Sequence, residues 1–170
     1  MPAITPRWLL VGFLSGAVAV LLFHQGALAM LHSLGMTQAA AYPMKPTAPF
    51  GLPQVWSLAF WGGVWGVIVA ICLVRLQGAA LVVASVVFGA IFPTLVAWFV
   101  VAPLKGQPVA AGFAPMAMMI GPIVNAAWGL GTGIGLVLFG RTKMAYQGPE
   151  RRVASEGLRY FGPERRIAIQ

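Results

Sequence analysis

The stretch GAALVVASVVFGAIFPTLVAWFVVA, residues 78–102, carries no charged side chain. As an α-helix rising 1.5 Å per residue it is about 37 Å long, enough to cross the roughly 30 Å hydrocarbon core of a bilayer. Three further segments have the same character, approximately Arg7–Leu34, Gln54–Val74 and Phe113–Phe139. Between Trp8 and Gly140 the only formal charges are Lys45, Arg75 and Lys105, and none is acidic. A domain surrounded by water needs far more surface charge than that, so the solvent around most of this chain is lipid. The expected fold is an all-α membrane protein: four antiparallel transmembrane helices over residues 1–140, followed by a short basic tail, residues 141–170.

The whole chain agrees. It is 59% hydrophobic and 8% charged, with a mean hydropathy of +0.86, outside the range of water-soluble domains. All three carboxylates (Glu150, Glu156, Glu164) and seven of the eleven basic residues lie in the last thirty positions. The net charge of +8 therefore sits beside a membrane span, where the anionic partner is a lipid headgroup; no nucleic-acid partner is expected. With both termini cytoplasmic, nine Lys and Arg fall inside and only Lys45 and Lys105 outside, which points to a multi-pass inner-membrane protein. Trp8 then marks the inner interface, with Trp56 and Trp98 near the outer one. Arg7, the apolar run after it and Ala27-Leu28-Ala29 resemble a signal peptide, but the apolar stretch continues to Leu34 and reads as an uncleaved first span. Cys72 rules out an intrachain disulfide and reads as a small buried packing residue.

The connections differ in kind. Gly35–Pro53 carries Pro43, Pro46, Pro49 and Pro53, a spacing that favours a stiff, extended polyproline segment. Arg75–Gly78 is a tight turn, and Pro103–Gly112 is short and rich in Gly and Pro. The two halves also echo each other. Trp61-Gly62-Gly63-Val64-Trp65-Gly66 is matched by Trp128-Gly129-Leu130-Gly131-Thr132-Gly133, as a duplication of one helical hairpin would leave.

Small residues four apart are the clearest packing signal: Gly12 with Gly16, Gly62 with Gly66, Ser85 with Gly89, and a ridge of Ala117, Gly121, Asn125, Gly129 and Gly133. In lipid, helices associate by close backbone approach, so these ridges mark helix–helix interfaces. They outnumber what four helices obviously need, which leaves room for an external contact.

His24 and Gln25 lie inside the first span, and Asn125 inside the fourth. A polar side chain at that depth is a functional candidate unless paired, and pairing of His24 or Gln25 with Asn125 is the expected resolution. His32 is eight residues beyond His24, about 12 Å along the axis, so the two cannot ligate one haem iron. Neither a metal site nor a resident cofactor is expected. Trp61, Trp65 and Trp128 are expected to fill the core; the alternative is that they offer stacking faces to a carotenoid, a quinone or a lipid ring. No span holds an Asp or Glu of the kind coupled carriers use, and no G-x-S-x-G elbow or acid–histidine pair is present. Pro93 should kink the third helix. In the tail, Gly148-Pro149-Glu150-Arg151-Arg152 recurs as Gly162-Pro163-Glu164-Arg165-Arg166. The paired arginines Arg151, Arg152, Arg165 and Arg166 suit anionic lipid or a docking partner.

From Phe60 to Gly140 the chain resembles a family of uncharacterised four-helix bacterial inner-membrane proteins, broadly YagU-like. The resemblance rests on Gly63-Val64-Trp65-Gly66, Val87-Phe88-Gly89 with Trp98, Val101-Ala102-Pro103-Leu104-Lys105-Gly106, and Trp128-Gly129 to Gly140. It implies the four-helix fold and the inner membrane, and a histidine early in the last helix where this chain has Asn125. It implies no reaction. Contact-making features outnumber chemical ones, so the expected function is a non-catalytic accessory, assembly or stabilising subunit of a larger membrane complex. The alternatives are a small oligomeric passive transporter or channel, and a binder of a hydrophobic cofactor or pigment.

Overall fold

A computed structural model of the protein describes residues 4–140. Four helices are long and apolar enough to span a membrane: Pro6–Ser33, Gln54–Cys72, Gly78–Leu104 and Pro115–Phe139. They are helical throughout because lipid offers no partner to an exposed N–H or C=O, so each span must satisfy its own backbone. The chain is thus a multi-pass membrane protein.

The order of packing differs from the order of the chain. The first span packs on the second, the third on the fourth, and the first on the fourth, whereas the second and third barely meet. The lateral order is second, first, fourth, third, with the two central helices supplied by the beginning and the end of the described chain. Between the outer pair the rings of Trp65 and Phe88 meet edge to face, at 6.0 Å between centroids.

Glycine sets the close approaches. A Cβ on Gly16 would overlap the carbonyl oxygen of Gly62, and one on Gly66 would overlap that of Gly12. In the other hairpin a Cβ on Gly89 would overlap the Asn125 carbonyl, one on Gly129 the Ser85 carbonyl, and one on Gly133 would come within 2.9 Å of the Val82 Cα. The register runs antiparallel in both seams. Gly121 faces the side chains of Thr94 and Trp98 rather than backbone. All eight ridge glycines named above face partners within the chain, and of that ridge set Ala117 is left exposed.

Two tryptophans fasten the bundle from inside. Trp128 Nε1 donates to Gly16 O at 2.9 Å, joining the fourth span to the first. Trp8 Nε1 donates to Ala70 O at 2.7 Å, and its ring fills the space a Cβ on Gly140 would need. Trp8 is therefore a buried clamp rather than part of an interfacial belt, because its indole finds a carbonyl on a neighbouring helix. Trp56 is exposed. Cys72 is exposed, not buried: it is the last residue of its helix and lies past the seam that buries Val69 and Ala70.

The helices also depart from α geometry where sequence reading did not anticipate it. Val20–His24 and Ala97–Val101 are single π-helical turns in the first and third spans. The third helix continues through Pro93, and its change of geometry comes four residues later. The first connection is not an extended polyproline rod. Pro46–Thr47 pairs with Leu52–Pro53 as a minimal antiparallel ribbon, and Lys45 O and Pro43 O accept from the N–H groups of Gln54 and Val55. Those two bonds satisfy donors that the start of the second helix leaves without a helical partner. In the third connection Ala110, Ala111, Gly112 and Phe113 form a left-handed turn with φ between 48° and 67°.

Candidate functional site

The polar side chains of the spans gather in two places, one in each hairpin. In the first span the π turn redirects a hydrogen bond. The Gln25 N–H, which α geometry would give to Leu21 O, goes to Val20 O. Leu21 O accepts instead from the Tyr42 hydroxyl at 2.9 Å. The Tyr42 backbone N–H in turn donates to Gln25 Oε1 at 2.7 Å. Gln25 Nε2 lies 3.4 Å from His24 Nδ1. Gln25 is fully buried, His24 half-buried. Tyr42 holds a left-handed backbone conformation (φ 53°), which directs both its N–H and its phenol back onto the helix. Tyr42 therefore seats the connection on the first span with two bonds, and His32 Nδ1, 3.1 Å from Thr37 O, adds a third polar contact near the end of that span.

In the second hairpin Asn125 Nδ2 donates to Thr94 Oγ1 at 2.9 Å, linking the fourth span to the third. Thr94 is buried. The expected pairing of His24 or Gln25 with Asn125 is not formed. A closer partner exists for each, the folded-back connection for Gln25 and the adjacent helix for Asn125. His24, Gln25 and Asn125 thus do not share one polar path. The remaining buried hydroxyls bond within their own helices, Ser85 to Leu81 O at 2.8 Å and Thr132 to Trp128 O at 2.9 Å. Among the described residues no buried side-chain nitrogen or oxygen lacks a partner, and no three of His, Cys, Asp and Glu converge as a metal site would require.

The three aromatic candidates are dispersed. Trp128 is buried at the central seam, Trp65 is half-buried against Phe88, and Trp61 is 58% exposed on the outer face of the second span. Phe60 and Phe92 are exposed too, with the Phe92 ring 4.6 Å from that of Phe88. Trp65 and Phe88 meet where the second and third spans come nearest, whereas the Phe60 ring packs edge to face on Phe13 of the first span at 6.0 Å. The tail arginines Arg151, Arg152, Arg165 and Arg166 lie outside the described residues.

Sequence reading missed Tyr42 and Thr94. Tyr42 was one aromatic in a proline-rich connection, and its partners are 17 and 21 residues away. Thr94 had a local signal: it follows Pro93 and lies one helical turn from Ala90 and Trp98, on the side that Gly121 faces. No protein-family model, curated protein or solved structure matches this chain.

Proposed function

We propose that this protein is a non-catalytic accessory subunit of a larger inner-membrane complex, with both ends cytoplasmic, and that a transmembrane helix of its partner lies along the open side between the second and third spans. The observation that carries this reading is the unclosed ring. Among the described residues each outer helix has a single close helical neighbour, although a turn of a few residues joins the two. In lipid, association comes from packing rather than from the hydrophobic effect, so a helix face without a neighbour is where another helix gains contact. The exposed rings of Trp61 and Phe92 give that face large rigid surfaces of the kind enriched at protein interfaces. The repeated Glu-Arg-Arg tail supplies a second contact, to anionic headgroups or to the same partner. A conduit is the weaker reading, since Gln25 and Asn125 are each engaged separately.

The test is purification from native membranes in mild detergent, with a photo-crosslinking residue at position 61 or 92. Stoichiometric recovery of one membrane protein, cross-linked at those positions and not at Leu14 on the first span, is the expected result. A single species linked to nothing, or linked equally at all three positions, would sink the proposal.

A further inference from the structure

Along the first and fourth spans runs an apolar groove of about 320 Å³. Ser15 and Gly135 meet at its floor, so closely that a Cβ on Gly135 would overlap the Ser15 hydroxyl. Leu14 and Leu138 on its sides are more than half exposed, so it opens outward to the lipid. It covers first-span residues 11 to 23, from the level of Phe139 to Phe23, about 18 Å of helix and of the order of one leaflet of the bilayer. At the Phe139 end stands Arg7, whose Nη2 donates to Phe139 O at 3.5 Å. That carbonyl belongs to the last turn of the fourth span, whose partial negative charge holds a cation nearby. One such bond uses one of the five guanidinium N–H donors, and residues 4–140 contain no carboxylate to take the others.

An apolar groove opening into lipid is filled by hydrocarbon, because an empty one forfeits dispersion contacts along its lining. The cation at its mouth then selects which lipid fills it. We propose that this groove binds one acyl chain of an anionic phospholipid whose phosphate is held by Arg7. The Arg7 guanidinium presents paired N–H donors to phosphate oxygens, a geometry that suits arginine better than lysine. The site is independent of the partner surface proposed above, which lies on the other two helices.

The experiment uses the full chain in mild detergent with phosphatidylglycerol bearing a photoreactive diazirine on one acyl chain. Cross-links should map to residues 11–23 and 131–139, and excess unlabelled phosphatidylglycerol should suppress them where phosphatidylcholine and inorganic phosphate do not. Arg7→Gln, at an exposed position, should cut the preference for phosphatidylglycerol over phosphatidylcholine about fivefold, the share of one basic residue at an anionic surface. Replacing Arg151, Arg152, Arg165 and Arg166 together by Gln should leave the groove labelling and its preference intact. Labelling spread evenly over all four spans, or a preference lost with the tail arginines and not with Arg7, overturns the proposal.

Discussion

Where the first span meets the second, glycine stands on both sides: Gly12 and Gly16 against Gly62 and Gly66. Where the third meets the fourth, glycine alternates with polar residues, Ser85 and Gly89 against Asn125, Gly129 and Gly133. Both seams bring carbonyl oxygens to within the space of a missing Cβ. They differ in where their amide side chains find partners. Asn125 reaches across its seam to Thr94, but Gln25 turns away from its seam to Tyr42 in the connection. Connection length accounts for this. About twenty residues between the first two spans are enough to fold back onto the helix, whereas ten between the last two are not. A polar group in a membrane helix is satisfied by whatever backbone or side chain its topology can deliver, so the same residue type secures a loop in one hairpin and a register in the other.

The largest effect should come from the feature the two seams share. Gly16→Leu and Gly129→Leu each drive a side chain into backbone, and each should destabilise the bundle by about 3 kcal/mol, read as loss of the folded species on heating in mild detergent. Gly121→Leu, which meets only the Thr94 and Trp98 side chains, should cost clearly less. Equal costs at all three would mean that backbone contact is not what closes the seams.

Next is the loop anchor. Gln25→Leu leaves the Tyr42 N–H without its acceptor and should cost about 2 kcal/mol, while Tyr42→Phe, which removes only the phenol bond, should cost about 1 kcal/mol. Both should raise proteolysis within residues 35–53 and leave the second hairpin unaffected; cleavage appearing instead in the third connection would reverse the assignment.

Thr94→Val should cost about 1 kcal/mol by orphaning Asn125, and adding Asn125→Leu should recover part of the loss. Strict additivity in that double-mutant cycle would show that the pair contributes nothing across the seam. The smallest effect is a gain. Gly26 sits in a helix with open space where a Cβ would go, so Gly26→Ala should stabilise by about 0.5–1 kcal/mol, the opposite sign to every seam glycine.

The four spans were legible to within about two residues at each end, because bilayer thickness fixes their length and lipid fixes their composition. The glycine ridges were legible as interfaces for a similar reason: only backbone contact explains a small residue on every turn. Which helix each ridge would meet was not, since Gly62 facing Gly16 and Gly129 facing Ser85 are facts of three-dimensional order. The candidate amides were found, but their partners were not. Tyr42 carries no periodic signal, and the π turn that frees Leu21 O leaves no trace in a pattern of apolar residues. Proline spacing misled outright, because Pro46 and Pro53 serve as facing ends of a ribbon that caps the second helix.

The bond from Trp128 to Gly16 has a consequence for how the protein is made. Its two residues are 112 positions apart. At a synthesis rate of roughly 5–20 residues per second, Gly16 has been in the nascent chain for about 6 to 22 s before its tryptophan exists. For the last 56 residues of that interval, from Cys72 to Trp128 and about 3 to 11 s, the first hairpin stands in the bilayer without its central neighbour, held by its glycine seam and by the Trp8 clamp to Ala70. The half of the protein with glycine on both faces is therefore the half that must be self-sufficient first, and the fourth span, made after the other three, completes the middle of the bundle rather than its edge.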